Sequence, residues 1–396
     1  MTTTTALGRA DRPLRLHPLT YLEERGEVVV GRADIDSYGV FPPDGAALLR
    51  QLASGLPAGE AARWYAGAYG EPVDMAAFVE VLDELRFLVR DDETAAPPVR
   101  WERLGRWMFS PAAWTCYLLI IGSAITAMAV SPRLAPHAAN LFFTRYLTVL
   151  ELVTFLGQIP LLLVHESFHV LAGRRLGLRS SLRLGWRLYY LVFETTMDGL
   201  VGVPRRRRYL PMLAGMLADL LVIAILTLVG AATMRSGGSL GLVGRISLAL
   251  AFPTLLRFLW QFYFYLRTDL YYVAVTVLGC LDLQPAARRI LANHFLRMLG
   301  RPAADESQLH PRDRQVGRWY AWLMAAGYAF SIGTLAFAWG PALQRIAAIA
   351  SDHLGHGAHP WREVADSVAF LFLNFVQIVV VVTLAVRAGR RSRRAG

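Results

Sequence analysis

The chain has 396 residues, 55% of them hydrophobic and 18% charged, with a mean hydropathy of +0.36. Soluble domains are roughly half apolar and about one quarter charged, so this balance argues against an ordinary soluble enzyme and against a disordered or fibrous chain. The net charge of +11 is carried on Arg alone and unevenly: residues 1–100 hold 10 Arg against 16 acidic residues, and residues 101–396 hold 31 against 14. An acidic N-terminal part thus joins a basic, apolar remainder, which suits Arg-rich loops flanking membrane helices better than a nucleic-acid surface.

Residues 1–12, with four consecutive Thr, read as a disordered start, and the first hundred residues hold no apolar run of signal-peptide type. Residues 13–90 read as a small folded domain. Short β-type runs around Leu16, Tyr21, Val28–Val30, Ile35 and Val40 are separated by turn residues. Pro43-Asp44-Gly45 then opens a first helix closed by Gly55, and AGEAARWYAGAYG follows as a second. The third carries apolar positions 78, 81, 82, 85 and 88 at helical spacing. Strands followed by three short helices predict an α+β, winged-helix-like domain. Residues 91–106, opening on DDETAAPP, read as a linker.

Residues 107–390 predict a mainly α, polytopic helical bundle. Six runs are long enough to cross a membrane core of about 30 Å: 112–130, 146–172, 209–232, 245–266, 319–340 and 364–386. A further run, 270–281, is too short and reads as re-entrant or interfacial. Arg clusters in the linker, in 174–208, in 267–318 and after Arg387, which places these segments and both termini on the cytoplasmic side of the plasma membrane. Cys116 and Cys280 lie in apolar runs and predict neither a CxxC site nor a disulfide.

The second run contains LLLVHESFHVLAG. His165-Glu166-x-x-His169 puts two imidazoles one helical turn apart on one face, where they can share a zinc ion, and leaves Glu166 as general base. Ionisable groups inside a membrane helix are costly and usually functional. A hydrolytic zinc needs a third protein ligand. Asp269, Asp219, Glu194 and Asp198 all lie on the right side, and spacing alone does not choose among them. His353, His356 and His359 stand among Gly355, Gly357 and Pro360, so a solvated loop is expected there. Tyr189, Tyr190, Tyr271, Tyr272 and Trp319 read as interfacial aromatics, and Arg205–Arg208 as an anchor in the anionic leaflet.

HESFH, then VPRRRRYLPMLAG, then LRTDLYY, in that order, resemble the membrane zinc metallopeptidases of the site-2 protease superfamily, and in particular their bacterial peptide zinc metalloprotease branch. The resemblance implies Asp269 as third ligand, one Zn²⁺ per chain, and peptide-bond cleavage near the cytoplasmic leaflet. Leu270 stands where that family has Gly, and Gln261 and Phe264 stand where it has Asn and Pro.

Residues 42–89 are similar to the winged-helix peptide-recognition elements of ribosomal modified-peptide pathways. Those domains take a precursor's leader as an added strand between the third strand and the last helix. The resemblance places that groove between residues 34–40 and 74–87, with Ile35, Tyr38, Val40, Phe78 and Leu82 facing the leader. A regulatory or DNA-binding winged helix is the alternative, and the acidic charge speaks against DNA. The expected function is leader removal from a precursor peptide. The rivals are a regulatory intramembrane protease and a non-catalytic membrane receptor or export partner for a peptide.

Overall fold

The computed structural model describes residues 13–24, 26–32, 34–35, 37–89, 99–187, 190–354 and 360–395. The expected disordered start, linker residues 91–98, Tyr189, His356 and His359 lie outside them. The chain divides into two compact units: Met1–Met108, Val170–Leu182 and Thr195–Pro211 form one, and Phe109–His169, Arg183–Glu194 and Met212–Gly396 the other.

In the first unit, β1 (Thr20–Glu24), β2 (Glu27–Arg32) and β3 (Ser37–Phe41) form an antiparallel sheet in that order, with Thr20 opposite Gly31 and Val28 opposite Phe41. Three helices follow: α1 (Pro43–Ala53), α2 (Ala58–Tyr69) and α3 (Met75–Glu84). Each boundary has a local cause. Pro43 opens α1, left-handed Gly70 ends α2, and the Asp74 carboxylate accepts from the N–H groups of Ala76 and Ala77 at 3.0 Å to cap α3. Val28, Val30, Phe41, Leu48, Leu49, Leu52, Leu82 and Phe87 make the core. Buried Arg32 donates to the Arg86 carbonyl at 2.6 Å and to the Asp34 carboxylate at 2.7 Å, and the bond to Asp34 holds that carboxyl below the usual range.

Two later segments belong to this unit. Glu24 pairs with Arg208 at 2.9 Å and with Arg205 at 3.5 Å, Arg179 donates to the Asp34 carbonyl, and the Tyr38 ring lies against Gly202. The expected lipid anchor is therefore corrected at two positions: Arg205 and Arg208 turn to a carboxylate of the chain itself. Helix α4 (Glu102–Met108) lies so close to Leu171 and Arg175 that a Cβ at Gly105 would strike their backbone.

Leu82 has no exposed surface and fills the domain core, while Phe78 is half-buried with its ring 6.1 Å from that of Phe41. The expectation that Leu82 faces a docked peptide is corrected, because its side chain is inside the domain. Leu82→Ala leaves a cavity, and the opening free energy of β2 and α1 should fall by about 2–5 kcal/mol. Hydrogen exchange in those elements checks it, with unchanged protection as the contrary result.

In the second unit, α5 (Pro111–Val130) starts behind Ser110, whose hydroxyl accepts from Ala113 N–H at 3.3 Å. Helix α6 (Leu147–Arg174) is capped from outside: Asp366, on α12 (Trp361–Ala395), accepts from the N–H groups of Leu147 at 2.6 Å and Thr148 at 3.1 Å. Further along α6, Glu151 accepts from Asn374 at 3.2 Å and Gln377 at 2.7 Å. Helices α7 (Arg205–Ala232) and α8 (Leu242–Trp260) follow the strand pair β4 (Arg179–Arg187) and β5 (Tyr190–Asp198). Then come α9 (Asp269–Leu278), α10 (Leu283–Met298) and α11 (Pro311–Leu354).

Among the described residues, α5, α6, α7, α8 and the Trp361–Leu384 part of α12 are long and apolar enough to cross a membrane. A sixth such span results if α9 and α10, bent by 85°, are taken together. The run 245–266 is corrected to a helix that stops at Trp260, because Gln261 ends it and a 3₁₀ turn at Phe264–Leu266 leads into left-handed Arg267. The run 319–340 lies inside the single 44-residue α11. Tyr271 is corrected from an interfacial to a core position: it is buried, its oxygen accepts from Gln284 N–H at 3.1 Å, and its ring faces that of Tyr320.

Candidate metal centre

Helix α6 carries His165, Glu166 and His169 into the second unit's interior, all three buried. Between them, Phe168 anchors the face, its ring 6.0 Å from Phe109 and 6.3 Å from Tyr117. The i, i+4 spacing stacks the imidazoles so that their Nε2 atoms are 3.3 Å apart.

Asp269 joins them from the first turn of α9. Its place is set by the turn after α8: Asp269 N–H donates to Gln261 Oε1 at 3.0 Å, and Thr268 donates to the Gln261 carbonyl at 2.8 Å. The turn is held from behind, since Tyr320 donates to the Phe264 carbonyl and Gln284 to that of Tyr265. Gln261 therefore orders the segment that carries Asp269.

Asp269 Oδ2 lies 3.2 Å from His169 Nε2 and 3.5 Å from His165 Nε2. Three donors at about 2.1 Å from one tetrahedral ion stand about 3.4 Å apart. The three observed separations of 3.2, 3.3 and 3.5 Å fit that spacing. Among the described residues, His165, His169 and Asp269 are the group of His, Cys, Asp and Glu side chains that could hold a metal ion. Glu166 adjoins them but supplies no atom to that group.

Helix α7 leaves room for an ion. A Cβ built on Gly215 would fall 2.5 Å from His165 Nε2 and closer still to His169 Nε2. Glycine inside a helix costs about 1 kcal/mol against alanine, and here it keeps clear the volume in front of both nitrogens. The donor set and the cleared volume fit zinc.

Asp219, on α7, stands elsewhere. It has no exposed surface, and its Oδ2 faces His165 Nδ1 at 3.1 Å, on the opposite side of the ring from the three converging atoms. Arg257 on α8 holds it, with Nη2 at 2.6 Å and Nε at 3.1 Å from Oδ1. Arg257 also donates to Gln158 Oε1 at 3.3 Å and to the Leu161 carbonyl at 3.4 Å. Glu194 and Asp198 lie on β5, and their side chains fall outside the described ones. The sequence reading names Gln261 as a departure from the family's pattern without giving it a role, and singles out neither Gly215 nor Arg257. Arg257 carries a signal of its own, an ionisable residue inside an apolar run.

In the N-terminal domain, β3 pairs with β2 along one side. Val40 and Ile35 are exposed, with Ile35 in the β2–β3 turn, while the Tyr38 ring meets Gly31 and Gly202. Alongside, Ser37 donates to the Leu85 carbonyl at 2.6 Å, which fixes the end of α3 against the strand. No family model, no curated protein and no solved structure matches this chain.

Proposed function

We propose that the chain is a membrane-embedded zinc endopeptidase that takes a precursor peptide through its N-terminal domain and removes the leader near the cytoplasmic leaflet. The observation that carries this reading is the convergence of His165, His169 and Asp269 at the spacing of one tetrahedral ion. The helices long and apolar enough to cross a membrane support the location, and the resemblance of HESFH and LRTDLYY to site-2 proteases supports the reaction class.

His165, His169 and Asp269 would hold the ion, and zinc, when bound, supplies Lewis acidity toward a scissile carbonyl and its attacking water. Glu166 accepts a proton from that water as the C–O bond forms, then delivers it to the leaving amine as the C–N bond breaks. Burial of both histidines and of Glu166 limits competing solvent. The substrate enters extended, because a helix hides its carbonyls in internal hydrogen bonds.

The purified chain should carry one zinc and cleave an extended peptide in a chelator-sensitive way, with activity restored by zinc. Metal-free protein that binds no added zinc would end the reading. The exposed Val40 edge supports leader docking by strand addition. The full chain should bind its precursor's leader at about micromolar strength, roughly −8 kcal/mol. A proline inside the recognised leader segment should weaken binding by removing a ladder donor. Equal affinity for the proline-bearing and unaltered leaders would refute strand addition.

A further inference from the structure

Three polar side chains on three helices, His165 among them, form one connected group. Asp219 on α7 has no exposed surface, His165 on α6 is 3% exposed, and the Arg257 side chain on α8 is 18% exposed. Burying a carboxylate and a guanidinium costs several kcal/mol per ion unless both are paired and hydrogen-bonded. Such a pair is often replaceable by hydrophobic residues without loss of stability, so stability alone does not account for it.

The two carboxylate oxygens of Asp219 are used differently. Oδ1 takes the two shorter contacts from Arg257, 2.6 Å from Nη2 and 3.1 Å from Nε, while Oδ2 accepts a longer one from Nε at 3.3 Å. Oδ2 is turned to His165 Nδ1 at 3.1 Å, a nitrogen that is buried and otherwise has no hydrogen-bond partner. That approach is within ion-pair distance and is not aligned as a hydrogen bond. On the far side of the same ring, Nε2 faces His169 and Asp269. An imidazole whose Nδ1 carries the hydrogen presents a lone pair at Nε2, and a carboxylate at Nδ1 selects that tautomer. Arg257 fixes the carboxylate in turn, through contacts that reach α6 at Gln158 and Leu161.

We infer that Asp219, clamped by Arg257, is a positioning residue for His165, setting its tautomer and ring orientation so that Nε2 meets a metal ion. This rests on the reading that His165 holds an ion. It makes Asp219 a partner of a ligand and leaves Asp269 as the third ligand. Loss of such a carboxylate typically lowers metal affinity 10- to 100-fold.

The test is Co²⁺ titration of the metal-free full chain, followed by its visible spectrum, in the parent, in Asp219→Asn and in Asp219→Leu/Arg257→Leu. The double variant removes both charges together, so no buried ion is left unpaired, and its thermal midpoint should stay near the parent's. Both variants should still take one Co²⁺ per chain, bind it 10- to 100-fold more weakly, and shift the cobalt bands. A double variant that folds and binds Co²⁺ with parent affinity and spectrum would overturn the positioning role, leaving Asp219 and Arg257 as a structural pair. A parent that binds no Co²⁺ would instead overturn the metal reading itself, and a variant that loses cobalt altogether would make Asp219 a ligand and refute the inference.

Discussion

Glu166→Gln should keep a full complement of zinc and lose turnover by a factor of 10² or more, about the contribution of a positioned general base. The two outcomes separate because Glu166 is buried beside His165 yet gives no atom to the group formed by His165, His169 and Asp269. Glutamine preserves the volume and most of the polar contacts but cannot accept the proton. The loss should fall on kcat with KM little changed, since proton transfer belongs to the transition state and not to ground-state binding. Zinc per mole and single-turnover cleavage on the same preparation decide it. Cleavage at the parent rate would remove Glu166 from the chemistry, whereas a parallel loss of zinc would make it a ligand.

Gly215→Ala should abolish metal binding although every proposed ligand is retained. The added methyl falls in front of both Nε2 atoms, in the volume an ion needs. Alanine favours a helix by about 1 kcal/mol over glycine, so α7 itself should not be weakened, and the effect should be confined to the site. Zinc content should drop from one per chain to near zero, with activity falling alongside, while helical content and detergent-solubilised size stay those of the parent. A variant that keeps both its zinc and its activity would show that the ion, if present, sits away from Gly215.

The legible and the illegible differ by the range of the physics involved. The strand-then-helix order of residues 13–90 could be read locally, because turn residues and helical spacing act within a few positions. The strand pair in 174–208 stands in a segment that the sequence analysis marks only by its Arg content, although alternating Leu182, Leu184 and Trp186 carry the period of two that marks a strand. The stop at Trp260 escaped a hydropathy reading, because Phe262, Phe264 and Leu266 continue the apolar run while Gln261 turns the backbone. The resemblance turns Leu82 toward a ligand, whereas the domain core covers it, and periodicity cannot correct that: it finds an apolar face but not what covers it.

By itself the sequence determined that an acidic α+β domain precedes a set of apolar helices, and that two imidazoles share one helical face with a carboxylate next to them in the chain. Both follow from composition and from the 3.6-residue turn, which need no partner. Only the tertiary structure decided which distant carboxylate meets the imidazoles. Asp219 and Asp269, 50 positions apart, both lie on the side that spacing allows, and the packing of α6, α7, α8 and α9 sends one to Nδ1 and the other to Nε2. That choice depends on which ring nitrogen each helix face reaches, a property of helix packing that spacing along one chain does not contain.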